Sequence, residues 1–186
     1  MKKLTILTIV GVVALSLVAV AGAHRVVTIK GTHGNDTLTG TPAADRVFAR
    51  DGDDLVNAGD GNDRIHGNRG NDTLHGDAGN DRVWGGLGND AVNGGEGNDV
   101  LRGRQGDDVV DGGPGNDVIW VGRGADVQRG GDGDDRMHAL ARDRQLDQID
   151  CGPGNDTVWL NAKEQDTQVN CEVVKTVTVT GDGGDN

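Results

Sequence analysis

The sequence predicts an all-β fold, a parallel β-solenoid in which two nine-residue units complete one coil, and three observations predict it. Twelve aspartates recur every nine residues, at Asp36, Asp45, Asp54, Asp63, Asp72, Asp81, Asp90, Asp99, Asp108, Asp117, Asp126 and Asp135. Two places after them stand Leu38, Val47, Val56, Ile65, Leu74, Val83, Val92, Leu101, Val110, Ile119, Gln128 and Met137, apolar in every unit but one. Glycine, 33 of the 186 residues, gathers in front of the aspartates. A fixed short period means that each unit repeats one conformation and contacts only its sequence neighbours, which makes a solenoid and not a globule.

Within a unit, six Gly- and Asp-rich residues form a tight turn, because glycine supplies positive φ and close backbone approach. The last three residues form a short strand whose middle side chain points inward and whose neighbours point outward. Two units then make a coil of eighteen residues, with odd units stacked in one parallel sheet and even units in the other. Identical turns lie about 4.8 Å apart on each edge, so carboxylates and glycine carbonyls form ladders. Two unit charges about 4 Å apart repel by about 1 kcal/mol in water and about 4 kcal/mol at an effective dielectric near 20. Such a ladder calls for cations, and its hard oxygen donors suit Ca²⁺ far better than Zn²⁺ or copper. One aliphatic side chain per nine ordered residues is too little burial to offset the chain entropy. Folding and metal binding are therefore expected to be coupled. The competing reading of the aspartates is a solvated acidic linker, but a linker does not hold an apolar residue at one phase of nine.

The most regular units are GGLGNDAVN (85–93), GGEGNDVLR (94–102) and GGPGNDVIW (112–120). Their consensus, Gly-Gly-x-Gly-Asn-Asp-x-apolar-x, resembles the RTX, or haemolysin-type, calcium-binding nonapeptide, over about residues 31–160. The resemblance implies a parallel β-roll that holds multiple Ca²⁺ ions between successive turns. The ligands it implies are the carboxylates of Asp36, Asp54, Asp63, Asp72, Asp81, Asp90, Asp99, Asp108, Asp117, Asp135 and Asp156. It adds the backbone of Gly61, Gly70, Gly79, Gly88, Gly97, Gly106 and Gly115. Ala43-Ala44, Val121, Ala125 and Gln128 depart from the consensus and leave Asp45 and Asp126 in doubt as ligands.

The ends read differently. Lys2-Lys3, the apolar run Leu4 to Val20 and Ala21-Gly22-Ala23 make residues 1–23 a secretory signal peptide cleaved after Ala23; the alternative is an uncleaved anchor, for which the run is barely long enough. Loss of the two lysines takes the formal net charge from −12 to −14, which disfavours nucleic acid and anionic membranes. The expectation is a secreted, extracellular chain, free or held at a cell surface, with calcium as its partner. It is expected to bind no nucleic acid and to make no stable membrane insertion once the signal is removed. Residues 24–33 form an N-terminal cap strand starting near Val26, and 34–141 carry the in-register repeats. The register then shifts by three and resumes at Asp147 and Asp156, so Ala139 to Arg144 is expected to loop out. Residues 142–171 hold the shifted repeats and a C-terminal cap. Cys151 and Cys171, the only cysteines, read as a disulfide between adjacent rungs of an exported chain, worth about 3 kcal/mol in the chain-entropy model. The segments DQIDCGPGNDTV and NCEVV are similar to the end-cap of exported, particularly actinobacterial, calcium-binding repeat proteins. Residues 172–186 are a closing strand and a disordered tail, Gly181 to Asn186.

No catalytic constellation emerges. Beyond residue 23 there is no serine or tyrosine and no HExxH, and His66 and His75, nine apart, face opposite sheets and share no metal. One pattern goes beyond the repeat. The position three after the aspartate along one sheet reads Phe48, His66, Trp84, Arg102, Trp120, His138 and Trp159, and holds every Phe and Trp of the chain. Beside it run Arg46, Arg64, Arg82 and, further on, Arg136. Two readings stay open. One is a structural ladder of cross-strand and cation–π contacts of roughly 0.2 to 2 kcal/mol each. The other is a face for an acidic glycan, a cell-wall polymer or a protein. The function classes are a calcium-dependent structural or adhesive surface protein, a soluble calcium-binding factor, and a calcium-regulated accessory to an enzyme or toxin.

Overall fold

Alternation of inward and outward side chains after each aspartate draws the chain into short parallel strands, and the glycine turns pass it from one sheet to the other. The computed structural model describes residues 26–141 and 143–178; the expected signal peptide and the tail Gly181–Asn186 lie outside the described residues. The strands, in chain order, are β1 (Val27–Lys30), β2 (Thr37–Thr39), β3 (Asp45–Asp51), β4 (Leu55–Asn57), β5 (Arg64–Arg69), β6 (Thr73–Ala78), β7 (Arg82–Leu87), β8 (Ala91–Glu96) and β9 (Val100–Gln105). There follow β10 (Val109–Pro114), β11 (Val118–Trp120), β12 (Val127–Asp132), β13 (Arg136–Ala139), β14 (Gln148–Asp150), β15 (Thr157–Asn161), β16 (Thr167–Val169) and β17 (Val173–Val177).

Odd strands build a nine-stranded sheet and even strands an eight-stranded one. The pairing is parallel with an offset of eighteen, as Val47↔Ile65, Ile65↔Val83 and Val83↔Leu101 show on one sheet and Val56↔Leu74 and Leu74↔Val92 on the other. The architecture is an all-β parallel β-solenoid, as the nine-residue period requires. The core is a column of aliphatic side chains between the two sheets, all of them at the phase two after the aspartate or four after it.

That second phase lengthens the strands. Three residues per strand are expected, yet β5 to β10 and β12 each run to six. The residue four after the aspartate turns inward again, as at Ala49, Ala58 and Cys151, and the next two still pair with the following rung, for example Asn68↔Gly86 and Arg69↔Leu87. A left-handed residue such as Gly86 (φ 136°) then bends the chain toward the opposite sheet.

The three-residue insertion displaces both sheets alike: Val127 pairs with Gln148 and Arg136 with Thr157, an offset of twenty-one in each. Ala139 is not part of the loop. It is fully buried and pairs with Leu160, because it holds the second inward phase; the extra residues follow it. At the C-terminal end β14 pairs with β16 and β15 with the closing strand β17. The sequence reading did not foresee β16, whose Thr-Gln-Val carries no inward aliphatic residue. Cys151 and Cys171 are disulfide-bonded with Cα atoms 5.2 Å apart, one rung from each other.

Candidate metal centre

From Asp45 to Asp156 the repeat aspartates are buried, at most 3% exposed. From Asp45 to Asp147 each backbone N–H donates to the Oδ1 of an aspartate one coil later, such as Asp54 to Asp72 at 2.9 Å, Asp63 to Asp81 at 2.7 Å and Asp90 to Asp108 at 2.8 Å, and Asp156 donates to Glu172 Oε2 at 2.8 Å. The chain of bonds crosses the insertion unbroken, Asp126 to Asp147 at 3.0 Å and Asp135 to Asp156 at 2.8 Å. The other oxygen has no such role. The Oδ2 atoms of Asp54, Asp63, Asp72, Asp81, Asp90, Asp99, Asp108, Asp117, Asp126, Asp135 and Asp156 are buried with no hydrogen-bond partner.

Burial therefore penalises the charged form. Desolvation, opposed by the backbone N–H and reinforced at most rungs by neighbouring carboxylates, raises Asp54, Asp63, Asp99, Asp126 and Asp135 to about 6. It raises Asp81, Asp90 and Asp117 to about 7, and Asp108 and Asp147 to about 8. A buried carboxylate oxygen without a donor must take a proton or meet a cation.

From Asp72 to Asp117, and at Asp135, room for the cation comes from the glycine five residues before the aspartate; before Asp54, Asp63, Asp126 and Asp156 that position holds Ala49, Ala58, Val121 and Cys151 instead. A Cβ at Gly94 would strike Asp99 Oδ2 and stand 2.6 Å from the Gly112 carbonyl oxygen; at Gly67 it would strike Asp72 Oδ2 and stand 2.6 Å from that of Gly85. The same pair of oxygens converges at Gly76, Gly85 and Gly112. Carboxylate and carbonyl oxygens facing a space cleared of side chain form a hard donor set that fits Ca²⁺. Among the described residues no three His, Cys, Asp or Glu side chains cluster as a metal site, so an ion here would draw on backbone carbonyls.

The glycines singled out from the consensus, Gly61, Gly70, Gly79, Gly88, Gly97, Gly106 and Gly115, occupy the outer bend with positive φ. Their N–H groups bond to the next coil, such as Gly70 to the Leu87 carbonyl at 2.9 Å, and their own carbonyls lie against the α-carbon of the glycine one coil on. The carbonyl beside Oδ2 belongs to the first glycine of the unit instead.

The first two aspartates differ from the rest. Asp36 Oδ2 accepts the N–H and hydroxyl of Thr32, and Asp45 Oδ2 those of Thr41, so threonine in the glycine position caps the ladder at its N-terminal end. Asp126, left in doubt by its preceding Ala125, has the same orphaned oxygen as its neighbours.

A family model described as the RTX calcium-binding nonapeptide repeat (four copies) matches residues 30–65, 57–92 and 93–128. The chain belongs to the RTX calcium-binding nonapeptide repeat family. A search of curated proteins finds no match to it. The RTX register agrees with the geometry: the matched span holds the aspartate ladder from Asp36 to Asp126 and the glycine cradles from Gly67 to Gly112.

The RTX roll carries two further ladders. On the outer bend, the Asn or Asp before each repeat aspartate accepts the N–H of its counterpart one coil later, as Asn71 Oδ1 does from Asn89 and Asn80 Oδ1 from Asn98. This runs opposite in sense to the buried ladder and explains why Asn or Asp recurs there; the sequence reading took it only as consensus. On the nine-stranded sheet the aromatic column stands in register. Phe48 stacks on His66 (5.1 Å, 4°), His66 on Trp84 (4.4 Å, 3°), Trp120 on His138 (5.0 Å, 7°) and His138 on Trp159 (4.5 Å, 7°). Arg102 lies over Trp120 at 4.8 Å and Lys175, which the sequence reading missed, over Trp159 at 4.6 Å. The ring faces are thus turned on one another. Arg46, Arg64 and Arg82 form an exposed file beside them.

Proposed function

We propose that the protein is a secreted, non-catalytic calcium-binding module whose β-roll forms on binding several Ca²⁺ ions and serves as a structural or surface-interaction element. The observation that carries this reading is the repeated pairing of an orphaned Asp Oδ2 with a glycine carbonyl in a space that a Cβ would fill. Asp72, Asp81, Asp90, Asp99, Asp108, Asp117 and Asp135, which have the glycine space, would hold the ions with turn carbonyls completing the shell; Asp54, Asp63, Asp126 and Asp156 would add their orphaned oxygens beside Ala49, Ala58, Val121 and Cys151. A bound Ca²⁺ supplies positive charge where burial opposes a bare carboxylate. Asp36 and Asp45, already satisfied by threonine, need none. Export rests on the N-terminal segment of the sequence and fits the disulfide.

The stacked column supports the structural ladder over a flat recognition platform, because rings stacked in parallel present edges rather than faces. The decisive experiment is far-ultraviolet circular dichroism of residues 24–186 titrated with Ca²⁺ from a chelated start, with Mg²⁺ as control. A cooperative coil-to-β transition specific to Ca²⁺ is expected. A β spectrum indifferent to both ions would refute metal-coupled folding.

A further inference from the structure

Five residues after the aspartate the chain adopts positive φ, and glycine is the usual occupant, as at Gly59 (94°), Gly86 (136°), Gly95 (106°) and Gly113 (94°). Two adjacent rungs of the nine-stranded sheet break the rule with Arg50 (φ 91°) and Asn68 (φ 82°). Side chains are disfavoured in this conformation, and strain that is retained is a pointer to function. Asn68 recovers something through a bond from its amide to the His66 carbonyl at 3.2 Å, and Asp77, strained elsewhere, accepts the Gly59 N–H at 3.0 Å. No such bond returns to the Arg50 side chain.

Both residues line an open cavity of about 560 Å³ at the N-terminal end of the sheet. Lys30 and Arg69 add two cationic groups to it. Among the described residues no ion pair neutralises Lys30, Arg50 or Arg69, whereas the acid of the cavity, Asp51, is engaged by His33 at 2.8 Å. Phe48 completes the lining. One of its faces stacks on His66, and the other looks toward the first rung, where Lys30 stands in register. In the described column this is the end of the stack that opens on a cavity.

We propose that this cavity binds an anionic carbohydrate, with a sugar ring packed against Phe48 and a carboxylate, sulfate or phosphate group held by Arg50, Arg69 and Lys30. An aromatic face bordered by unpaired guanidinium groups suits a ligand that is both a ring and an anion. The formal charge of −12 repels long polyanions, so the ligand is a short acidic saccharide or the end of a chain. This goes beyond calcium binding and requires only that the roll be formed.

The test is calorimetry on calcium-loaded residues 24–186, folding checked by circular dichroism in the same samples. The probes are a hyaluronan tetrasaccharide and a chondroitin sulfate tetrasaccharide, against neutral chitotetraose and sodium sulfate. The acidic saccharides are expected to bind, and the neutral sugar and bare sulfate to bind at least tenfold more weakly. Arg50→Gly restores the repeat's own residue, so it should keep or raise the melting temperature while weakening binding at least tenfold. Arg104→Gly relieves the same conformation (φ 91°) outside the cavity and should leave binding unchanged. Equal binding of chitotetraose or sulfate, an unaffected Arg50→Gly variant, or a folded chain that binds no saccharide would each overturn the proposal. A chain that stays unfolded in calcium would sink it together with the calcium reading, which circular dichroism alone reveals.

Discussion

At Asp90 one carboxylate oxygen accepts the N–H of Asp72 at 2.9 Å and the other meets no donor. Replacing it by Asn keeps the first bond and removes the buried charge. Asp90→Asn is therefore expected to stabilise the metal-free roll by about 1 to 3 kcal/mol while lowering the number of Ca²⁺ ions bound, a pair of opposite effects that chelated and calcium-loaded melts would separate. The same physics fixes a pH response. A carboxylate raised on folding contributes stability that is complete below its unfolded value, near 4, and is lost as pH rises through its folded value, here about 6 at Asp54, about 7 at Asp81 and about 8 at Asp108 and Asp147. The chelated chain should gain β structure when acidified from pH 8 to pH 5. With Ca²⁺ the sign reverses, and the calcium midpoint should rise as protons compete over that window; a midpoint that is flat between pH 5 and 8 would count against carboxylate ligation. Gly94→Ala, whose Cβ would strike Asp99 Oδ2 and stand 2.6 Å from the Gly112 oxygen, should cost about 1 to 3 kcal/mol. The aspartates and the aliphatic residue after them were legible because their period is visible in one dimension. Why the first glycine must lack a side chain was not, since its conflict is with the next coil. Thr32 and Thr41 were passed over in the sequence, and their role as caps appears only once their hydroxyls are seen on Asp36 and Asp45.

Each strand owes its place to its neighbours one coil away rather than to its own length. Trp84 loses its stacking on His66 when truncated, so Trp84→Ala should destabilise the calcium form by about 0.5 to 1.5 kcal/mol beyond the loss of burial, read from its thermal midpoint. His66 and His138, each between two rings, are held below the usual imidazole range, largely by desolvation, which suits neutral rings in a stack. The disulfide ties β14's rung to β16's. Reducing it should lower stability by about 3 kcal/mol, with limited proteolysis showing cleavage first beyond residue 161. Cross-strand register was readable from the column Phe48, His66, Trp84, which needs only a count of eighteen. The strand β16 was not, because Thr167, Gln168 and Val169 place no aliphatic side chain in the core.

Taken whole, the roll is closed at one end by threonine-capped aspartates and at the other by a rung whose Val173 and Val174 stay about 40% exposed. Removing residues 162–186 would bare Val158 and Ile149, now buried, and should lower both the calcium cooperativity and the melting temperature, as calorimetric melts would show. The fold as a whole was legible because a nine-residue period admits few architectures, whereas the cavity beside Phe48 was not, since it joins residues from three rungs. The insertion after Ala139 has a consequence of its own. A stack of like coils is a one-dimensional crystal, and three added residues are a stacking fault in it. Both sheets slip by the same amount, so the hydrogen bonds from Asp126 to Asp147 and from Asp135 to Asp156 pass through the fault intact. The lattice can therefore lengthen at its bends while keeping its phase along the axis, so loops can be grafted there without the aspartate columns losing alignment.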